Sequence, residues 1–463
     1  MKKRNAFTLI ELLAVIVILA VILVISIPRI LNVIEESKKD SIKSSARMII
    51  NSAEKKNMID KVNGSTEEIT CDNSVKLSKE DYESCKITID EEGKATINLV
   101  GKGKFDGYKC IGTNDNLACG QVESITLPLN GKEYIEKLYS NELSRIENGL
   151  KKDNTEDENI RYYGSNPNNY VSFNNELWRI IGVFGNNVKL IRSEKIGNLS
   201  WNSSESSINS GWGVNEWGES TYEDGTTYDG SDLMQYLNKM YYGGDTTITC
   251  YGGYRNETTT CPTNRLDDAS KTLIDNHTWN TGAIDGTDTT IVNEETLALN
   301  TVPFYNAERG NETGKICSSG NGCNDTVTRT TEWTGYIGLP YATDYAYASG
   351  ESICETNMYA GINATASSID EAIANMTCKK NNWMHHGTTR DIEDATWFMS
   401  PVALPDSAYI VWYVVGVGFV VFDDGGSAAL PLSAFPTIYL KSNILIESGT
   451  GTNTDPYILK AGV

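Results

Sequence analysis

Histidine is nearly absent from this chain, with three in 463 residues, so few ordinary general bases are available for catalysis. No H-E-x-x-H, G-x-S-x-G or glycine-rich phosphate loop occurs either. Two of the histidines, His385 and His386, are adjacent, and Asp391, Glu393 and Asp394 follow them, so a metal or acid–base site can be imagined. Adjacent side chains of a strand point to opposite faces. A solvated loop is the better interpretation, and we expect no enzyme.

Basic residues are also scarce, with 40 Lys and Arg against 61 Asp and Glu, a net charge of −21. An acidic surface repels phosphates, which disfavours nucleic acid as a partner. Clustered oxygen ligands can hold Ca²⁺, and two sets of acids qualify: Asp224, Asp229 and Asp232, or Asp423 and Asp424. Neither set has EF-hand spacing, and Asp-Gly is first of all a turn signal. We expect no cofactor, with Ca²⁺ as the alternative.

Charge is missing from one long stretch. Residues 7–27, FTLIELLAVIVILAVILVISI, contain a single ionisable side chain, that of Glu11. A helix of this length covers the ~30 Å hydrocarbon core of a bilayer, so we predict one membrane span. No small-residue cleavage site of the secretory kind follows before Pro28. The basic residues at positions 2–4 would keep the amino terminus cytoplasmic.

This segment resembles the amino-terminal signal of type IV pilins and pseudopilins: a basic leader, a small residue, Phe-Thr-Leu-Ile-Glu and a long apolar helix. The resemblance implies that residues 1–6 are a leader, that a prepilin peptidase cuts between Ala6 and Phe7, and that the new amino terminus is methylated. It makes Glu11 the fifth residue of the mature chain. It also places Pro28 where many members of the family carry a helix-kinking proline.

The position of Glu11 demands a partner, because a carboxylate inside a bilayer costs on the order of 2.5 kcal/mol or more. In a fibre of packed apolar helices, this carboxylate can neutralise the α-amine of Phe7 in a neighbouring subunit, which stays cationic at neutral pH. We therefore predict processing at Ala6 and Phe7 and a role in assembly for Glu11 and Pro28. The alternative is a single-pass anchor whose acid snorkels toward the cytoplasmic face.

Ten cysteines lie as close neighbours along the chain. An even number at short intervals in an exported protein indicates local disulfides, although connectivity does not follow from sequence alone. Zinc is the rival interpretation, but C-x-x-C is absent and the histidines stand apart from the cysteines. The disulfide candidates are Cys71 and Cys85, Cys110 and Cys119, Cys250 and Cys261, Cys317 and Cys323, and Cys354 and Cys378.

The predicted fold class is α+β. An amino-terminal helix over 7–57 would be followed by a small antiparallel meander in a pilin-like domain over 58–125, because KITID, KATINLVG and KFDGYKCIG read as strands. Residues 126–160 show a weak helical period and then a charged run, which predicts a helical spacer and linker. The chain is too long for one pilin domain, and residues 161–463 form the predicted head.

The head carries all nine tryptophans and should be mostly β and loop-rich. NYVSFNNELWRIIGVFGNNVKLIR predicts three strands joined by turns at Asn174-Asn175 and at 185–187. Two short helical periods, SDLMQYLNKMYY and SIDEAIANM, interrupt the β pattern. Segments such as ELWRIIGVF, WTGYIGLPYATDYAYAS and GTGTNTDPYIL resemble an uncharacterised extracellular head module of Gram-positive surface proteins. That resemblance implies a fold similar to C-type lectins.

Five aromatic residues near the carboxy terminus are candidates for ligand binding: Tyr409, Trp412, Tyr413, Phe419 and Phe422. Rigid aromatic rings beside small residues suit recognition of sugars or proteins. The same run could instead be a core strand, in which alternation buries one set of side chains and exposes the other. Both alternatives stay open at this stage.

We therefore expect a type IV pilin-like subunit, a minor or tip component, that displays an adhesive or ligand-binding head. The alternatives are a pseudopilin of a type II-like secretion system and a surface hydrolase on a pilin anchor. The expected partners are prepilin peptidase, other pilin subunits through the amino-terminal helix, the membrane before assembly, and a glycan or protein ligand. The expected location is the cell membrane, in one pass, and then an extracellular filament.

Overall fold

The structure is a computed structural model. It describes residues 9–462 except 66, 76–79, 91, 123, 204–212, 223, 294–297, 314–326, 360–377, 380, 388–393, 405–407 and 423–426. The chain divides into two compact units. The first unit comprises Met1–Ser124 and Asn141–Ile146, and the second comprises Ile125–Ser140 and Glu147–Val463.

Apart from one long helix, the secondary structure of the described residues consists of short helices and strands. The helices, in chain order, are α1 Leu9–Asn63, α2 Cys71–Ser74, α3 Gly131–Ser140, α4 Glu142–Asn148, α5 Asp232–Gln235, α6 Asp268–Leu273, α7 Thr301–Glu308 and α8 Ala342–Ala348. The strands are β1 Tyr82–Ile89, β2 Ala95–Gly101, β3 Tyr108–Gly112, β4 Ala118–Gln121, β5 Leu129–Asn130, β6 Leu150–Lys152, β7 Ile160–Tyr162, β8 Tyr170–Phe173, β9 Glu176–Phe184, β10 Asn187–Arg192, β11 Gly197–Ser200, β12 Ser220–Thr221, β13 Thr227–Tyr228, β14 Cys250–Tyr251, β15 Thr258–Thr259, β16 His277–Asn280, β17 Val292–Asn293, β18 Ala298–Asn300, β19 Glu332–Gly335, β20 Ile337–Gly338, β21 Asn357–Tyr359, β22 Thr396–Pro401, β23 Val411–Val414, β24 Val420–Val421, β25 Pro431–Ala434, β26 Thr437–Tyr439, β27 Ile444–Ser448 and β28 Tyr457–Ala461.

The first unit is a long helix against a four-stranded antiparallel meander in the order β1-β2-β3-β4. The predicted helix and meander are confirmed, with α1 continuing to Asn63 and with β4 as an additional strand. Strand β2 alternates between buried and outward-facing residues, as expected when one face covers a core. That core joins the carboxy-terminal half of α1 to the sheet through Ile42, Ala46, Ile49, Ile50, Ala53, Ala95, Ile97 and Leu99.

The second unit is built around a mostly antiparallel sheet of ten described strands, whose main path is β20-β26-β10-β9-β8-β28-β27-β5. The three predicted strands are confirmed as β8, β9 and β10, with both Asn174 and Asn175 at positive φ in the turn between the first two. Strand β7 pairs with β9 beside β8. Gly182 permits that approach, because a Cβ there would lie 2.3 Å from the Ile160 carbonyl oxygen.

A second sheet, in the order β11-β25-β22-β23-β24, lies in the same unit. Four consecutive residues of β23 are all buried. Its odd-numbered side chains, Val411 and Tyr413, belong to one hydrophobic cluster, whereas Trp412 and Val414 belong to another. This strand therefore separates two cores and has no solvent-facing side.

Most of the segment predicted as spacer and linker, residues 126–160, supplies elements of the second unit, whereas Asn141–Ile146 belong to the first. Strand β5 pairs with β27, and β6 pairs with β7 at the edge of the ten-stranded sheet. In α3, Ile135 is fully buried and Leu138 is nearly so, in the main core of that unit. The weak helical period marks a helix that packs on the sheet, because its apolar face has a core to join.

Four of the predicted cysteine pairs are disulfides: Cys71–Cys85, Cys110–Cys119, Cys250–Cys261 and Cys354–Cys378. The remaining candidates, Cys317 and Cys323, lie outside the described residues, as does the predicted helix SIDEAIANM. The other helical period, SDLMQYLNKMYY, forms α5 and then a π-helix, Tyr236–Tyr242.

In the part of the chain that the structure describes, no helix is both long enough and apolar enough to cross a membrane. The membrane span over 7–27 thus stays a prediction.

The aromatic core of the second unit makes a testable stability prediction. Trp201 is fully buried, with its ring 4.7 Å from that of Trp217 and 6.0 Å from that of Trp397. Trp201→Ala should lower the free energy of unfolding by about 3–5 kcal/mol, because it leaves a large cavity. Urea unfolding of the full chain, followed by near-ultraviolet circular dichroism, measures this change. The control Leu177→Ala, at a side chain 40% exposed, should change stability by less than about 1 kcal/mol; equal effects would contradict the prediction.

Candidate functional site

The described aliphatic side chains in the amino-terminal half of α1 are exposed. Its described large aliphatic side chains between Leu9 and Ile34 are 46–85% exposed. Among the described side chains of the helix, the first that is fully buried is Ile42, which belongs to the core shared with the sheet. Exposed apolar area of this extent is unfavourable in water and marks a surface that another apolar partner covers. We call residues 9–34 the free segment of α1.

The carboxy-terminal half of α1 has a smaller exposed stripe on the side opposite the sheet. Met48, Met58, Ile59 and Val62 are 54%, 67%, 48% and 86% exposed. At 100° per residue these four positions fall within about 100° of one another, whereas Ile42, Ala46 and Ile49 point to the sheet. The helix therefore keeps apolar side chains available beyond its free segment.

The predicted processing and assembly residues lie at the start of this helix. Ala6 and Phe7 are outside the described residues. The backbone at Glu11 and Pro28 is helical within α1, and their side chains lie outside the described part of the structure. The pairing of the Glu11 carboxylate with a neighbouring α-amine consequently stays a prediction.

The aromatic candidates for ligand binding are largely core residues, and the binding interpretation is wrong for three of them. Trp412, Tyr413 and Phe419 are 0%, 2% and 5% exposed. Trp412 packs edge-on to Phe304 at 4.9 Å, and Phe422 covers it at 4.6 Å. Neither the odd-numbered nor the even-numbered side chains of β23 face solvent, because hydrophobic clusters lie on both sides of the strand. Tyr409 and Phe422 are partly buried against the second cluster.

The two adjacent histidines contact different partners. His385 Nδ1 lies 3.2 Å from the Tyr345 hydroxyl, and the ring of His386 stacks on Phe435 at 4.6 Å. Partial loss of solvation lowers the pKa of both below the ordinary histidine value of 6.5, so both rings are mainly neutral at pH 7. Asp391 and Glu393 lie outside the described residues.

The acids considered for Ca²⁺ make separate local contacts. The Asp224 carboxylate accepts hydrogen bonds from the Thr226 amide and hydroxyl, at 2.9 and 2.8 Å, which is a turn motif. Asp232 accepts from the Ser203 amide at 2.6 Å. Together with Asp229 it borders a surface cleft of about 280 Å³. Asp423 and Asp424 lie outside the described residues, and within the described part of the chain no three His, Cys, Asp or Glu side chains are placed to hold a metal.

A network of buried charges in the second unit was not predicted from the sequence. Arg161 donates to Asp153 at 2.6 Å and to Asp344 at 2.8 Å, and the Lys189 ammonium donates to Asp344 at 2.5 Å. All four side chains are at most 1% exposed. Burial opposes ionisation of Asp344, but the charges of Lys189 and Arg161 outweigh it and lower its pKa to about 2.

The network connects residues far apart in the chain, which is why the sequence did not reveal it. Lys189 and Arg161 both lie opposite Gly182 in the sheet, on β10 and β7. Asp344 comes from α8, 155 residues beyond Lys189. A lysine inside the otherwise apolar strand VKLI was the available signal, since an unpaired charge is almost never fully buried.

Two glutamates are also buried in the second unit. Glu308 accepts from the Thr343 hydroxyl at 2.5 Å and from Arg309 at 3.3 Å, and burial raises its pKa to about 7. Glu216 accepts from the Thr330 hydroxyl at 3.1 Å, and burial likewise raises its pKa to about 7 against the opposing charge of Arg329. Both carboxyls therefore titrate near neutrality.

Glu308 predicts a specific pH dependence of stability. Its folded pKa of about 7 lies above the ordinary glutamate value of 4.5, so its contribution is fully present below about pH 4.5 and is lost as the pH rises through about 7. Between about pH 5 and pH 8, Glu308→Gln should gain on the order of 1–3 kcal/mol in unfolding free energy relative to the wild type.

Urea unfolding of the full chain at both pH values measures this gain. The comparison with wild type at each pH removes the contribution of the histidines, whose lowered pKa values act in the opposite sense. The exposed Glu332 supplies the control substitution Glu332→Gln. A pH-independent difference between Glu308→Gln and wild type would show that Glu308 is ionised throughout.

One protein-family model matches the chain, described as the prokaryotic N-terminal methylation motif, over residues 1–27. Neither curated proteins nor solved structures yielded a match. The resemblance of the head to C-type-lectin-like surface modules stays a prediction. The motif implies processing by prepilin peptidase and assembly with other pilins, from a membrane-anchored precursor into a surface filament. Residues 1–27 thus carry a type IV pilin-like signal, which runs directly into the free segment of α1.

Proposed function

We propose that this protein is a minor or tip subunit of a type IV pilus-like filament and that its second unit is a head displayed for binding. The observation that carries the proposal is the continuity of the methylation motif with a helix whose apolar side chains stay exposed as far as Ile34. Such a helix is suited to insertion first among lipid tails and then among identical or related helices, since both environments cover apolar area.

The division of α1 supports this assignment. Its buried face begins at Ile42 and fixes the helix to the four-stranded sheet, whereas the free segment leaves its apolar side chains available to neighbouring subunits. Four residues of the free segment, Ile30, Leu31, Val33 and Ile34, are exposed beyond the matched motif. Contacts between subunits should therefore extend past the part of the helix that occupies the membrane.

The size of the second unit supports a minor or tip position. It spans most of the chain and has its own hydrophobic clusters. A filament composed only of this subunit would have to accommodate so large a domain at every subunit position. Incorporation at low copy number or at the tip avoids that crowding, and a head at the surface suits adhesion to a glycan or a protein.

Processing gives the most direct test. Mass spectrometry of the protein from its native host should find an amino terminus at Phe7 that carries a methyl group. Retention of Met1, or a start beyond Pro28, would exclude the proposed pathway. An unmethylated Phe7 at the amino terminus would show that the chain is cleaved but not methylated.

Assembly depends in this proposal on the Glu11 carboxylate. Glu11→Leu should leave the protein in the membrane fraction and reduce its amount in sheared filaments at least tenfold, because the α-amine of a neighbour loses its counter-ion. Immunoblots of both fractions measure the distribution. Glu36→Leu, at an exposed acid of the same helix outside the motif, is the matched control and should assemble normally. Wild-type amounts of Glu11→Leu in filaments would overturn the assembly role.

A further inference from the structure

Lys189 and Asp344 form a contact with unusual surroundings. The lysine Nζ lies 2.5 Å from Asp344 Oδ2, and both side chains are 0% exposed. The lysine comes from the centre of the large sheet, where β10 lies between β9 and β26. The aspartate comes from α8. The contact thus joins a strand to a helix in the interior, out of reach of solvent.

Aromatic rings surround the lysine. Its Nζ lies 4.3 Å from the ring centroid of Tyr341, 5.3 Å from Tyr439, 5.4 Å from Phe184 and 5.6 Å from Trp279. Among the described residues, Asp344 provides the carboxylate that lies within ion-pair distance of Lys189. An amine and a carboxyl group are held together here in a site of low polarity.

The two oxygens of Asp344 have different partners. Oδ1 accepts from Arg161 Nη1 at 2.8 Å, whereas Oδ2 accepts from Lys189 and from the Tyr341 amide, at 3.0 Å for the amide. Arg161 also donates from Nε to Asp153 Oδ2, and this second contact fixes the position of its guanidinium group. The carboxyl carbon therefore has a cation at one oxygen and the amine at the other.

We propose that Lys189 and Asp344 condense in the folded protein to an intramolecular isopeptide bond. One proton passes from the Lys189 ammonium to Asp344 Oδ2, which gives a neutral amine and a carboxylic acid. The lone pair of Nζ then attacks the carboxyl carbon, and Arg161 stabilises the negative charge that develops on Oδ1. A second proton from Nζ reaches Oδ2, the bond from carbon to Oδ2 breaks, and one water leaves. The ion pair is thereby converted to an amide and water, with no oxidant or co-reactant.

The environment favours this reaction in two ways. Burial lowers the pKa of Lys189 to about 8, so the neutral amine is more accessible than for a lysine in water, although the charge of Arg161 lowers the pKa of Asp344 and opposes protonation of the acid. Fixed geometry replaces the encounter of two groups in solution, which can supply a large part of the barrier to amide formation. After reaction Oδ1 becomes the amide oxygen and keeps Arg161 as its donor, so the remaining charges stay paired.

The consequence is a covalent connection of a kind that the described disulfides do not provide. Those four disulfides close sequence separations of 9–24 residues, whereas Lys189 and Asp344 are 155 residues apart. The bond would fasten a central strand to α8, and pulling on either end of the second unit could not separate the two without breaking an amide. This inference does not depend on the role proposed for the amino-terminal motif.

Peptide mass spectrometry of the full-length protein tests the bond. After reduction, alkylation and trypsin digestion, we expect residues 180–192, with Lys189 uncleaved, joined to residues 330–379 and lighter than their sum by one water molecule. Fragmentation should place the junction at Lys189 and Asp344. Recovery of residues 180–189 as a free peptide, together with unmodified 330–379, would overturn the proposal.

Two variants serve as controls for the assignment. Lys189→Met and Asp344→Ala each remove one reacting group, and neither should give the joined peptide. A joined peptide in either variant would assign the bond to other residues and contradict the proposal. The wild-type measurement decides the question even if these buried substitutions prevent folding, because the bond is read directly from its mass.

Discussion

The length of α1 constrains everything else in the first unit. A helix of 55 residues extends about 80 Å, whereas the strands that cover it contain four to eight residues. Such a sheet can shield only part of the helix, and it shields the part from Ile42 to Ala53. The apolar residues before it must find cover outside the subunit. A hydrophobic surface that its own chain does not bury is the physical basis of an assembling subunit, and the methylation motif occurs at the start of that surface.

Features set by neighbouring residues were predictable from the sequence. Alternation gave the meander and the first strands of the second unit, and short cysteine intervals gave four disulfides, because each depends on residues within about 25 positions. Features set by distant residues were not. Whether Trp412 faces solvent depends on Phe304 and Phe422, and strand alternation carries no information about a second layer. Strand β5, in the segment predicted as spacer, likewise pairs with β27 far along the chain, which its own sequence does not indicate.

The buried charges follow the same division between local and distant causes. Lys189 in an apolar strand indicates a buried counter-charge but not where that charge lies, and Asp344 alone suggests a helix-capping residue. The pairing of β10 and β7 with β9 places Lys189 and Arg161 opposite the same residue of the sheet. Asp344, from α8, then contacts both side chains. Replacing one member would leave an uncompensated charge in the core, which is among the most destabilising changes a protein can undergo. Although the chain is acidic overall, the side chains of Arg161 and Lys189 are buried in its interior.

The nearest-neighbour arrangement of the described cysteine pairs bears on biogenesis. A chain that crosses a membrane from its amino terminus exposes thiols to an oxidising compartment one after another. Because each described cysteine bonds to the next one in that succession, oxidation in order of emergence already yields the native connectivity. For these four pairs, oxidation in that order would require no isomerase to reshuffle wrong pairs.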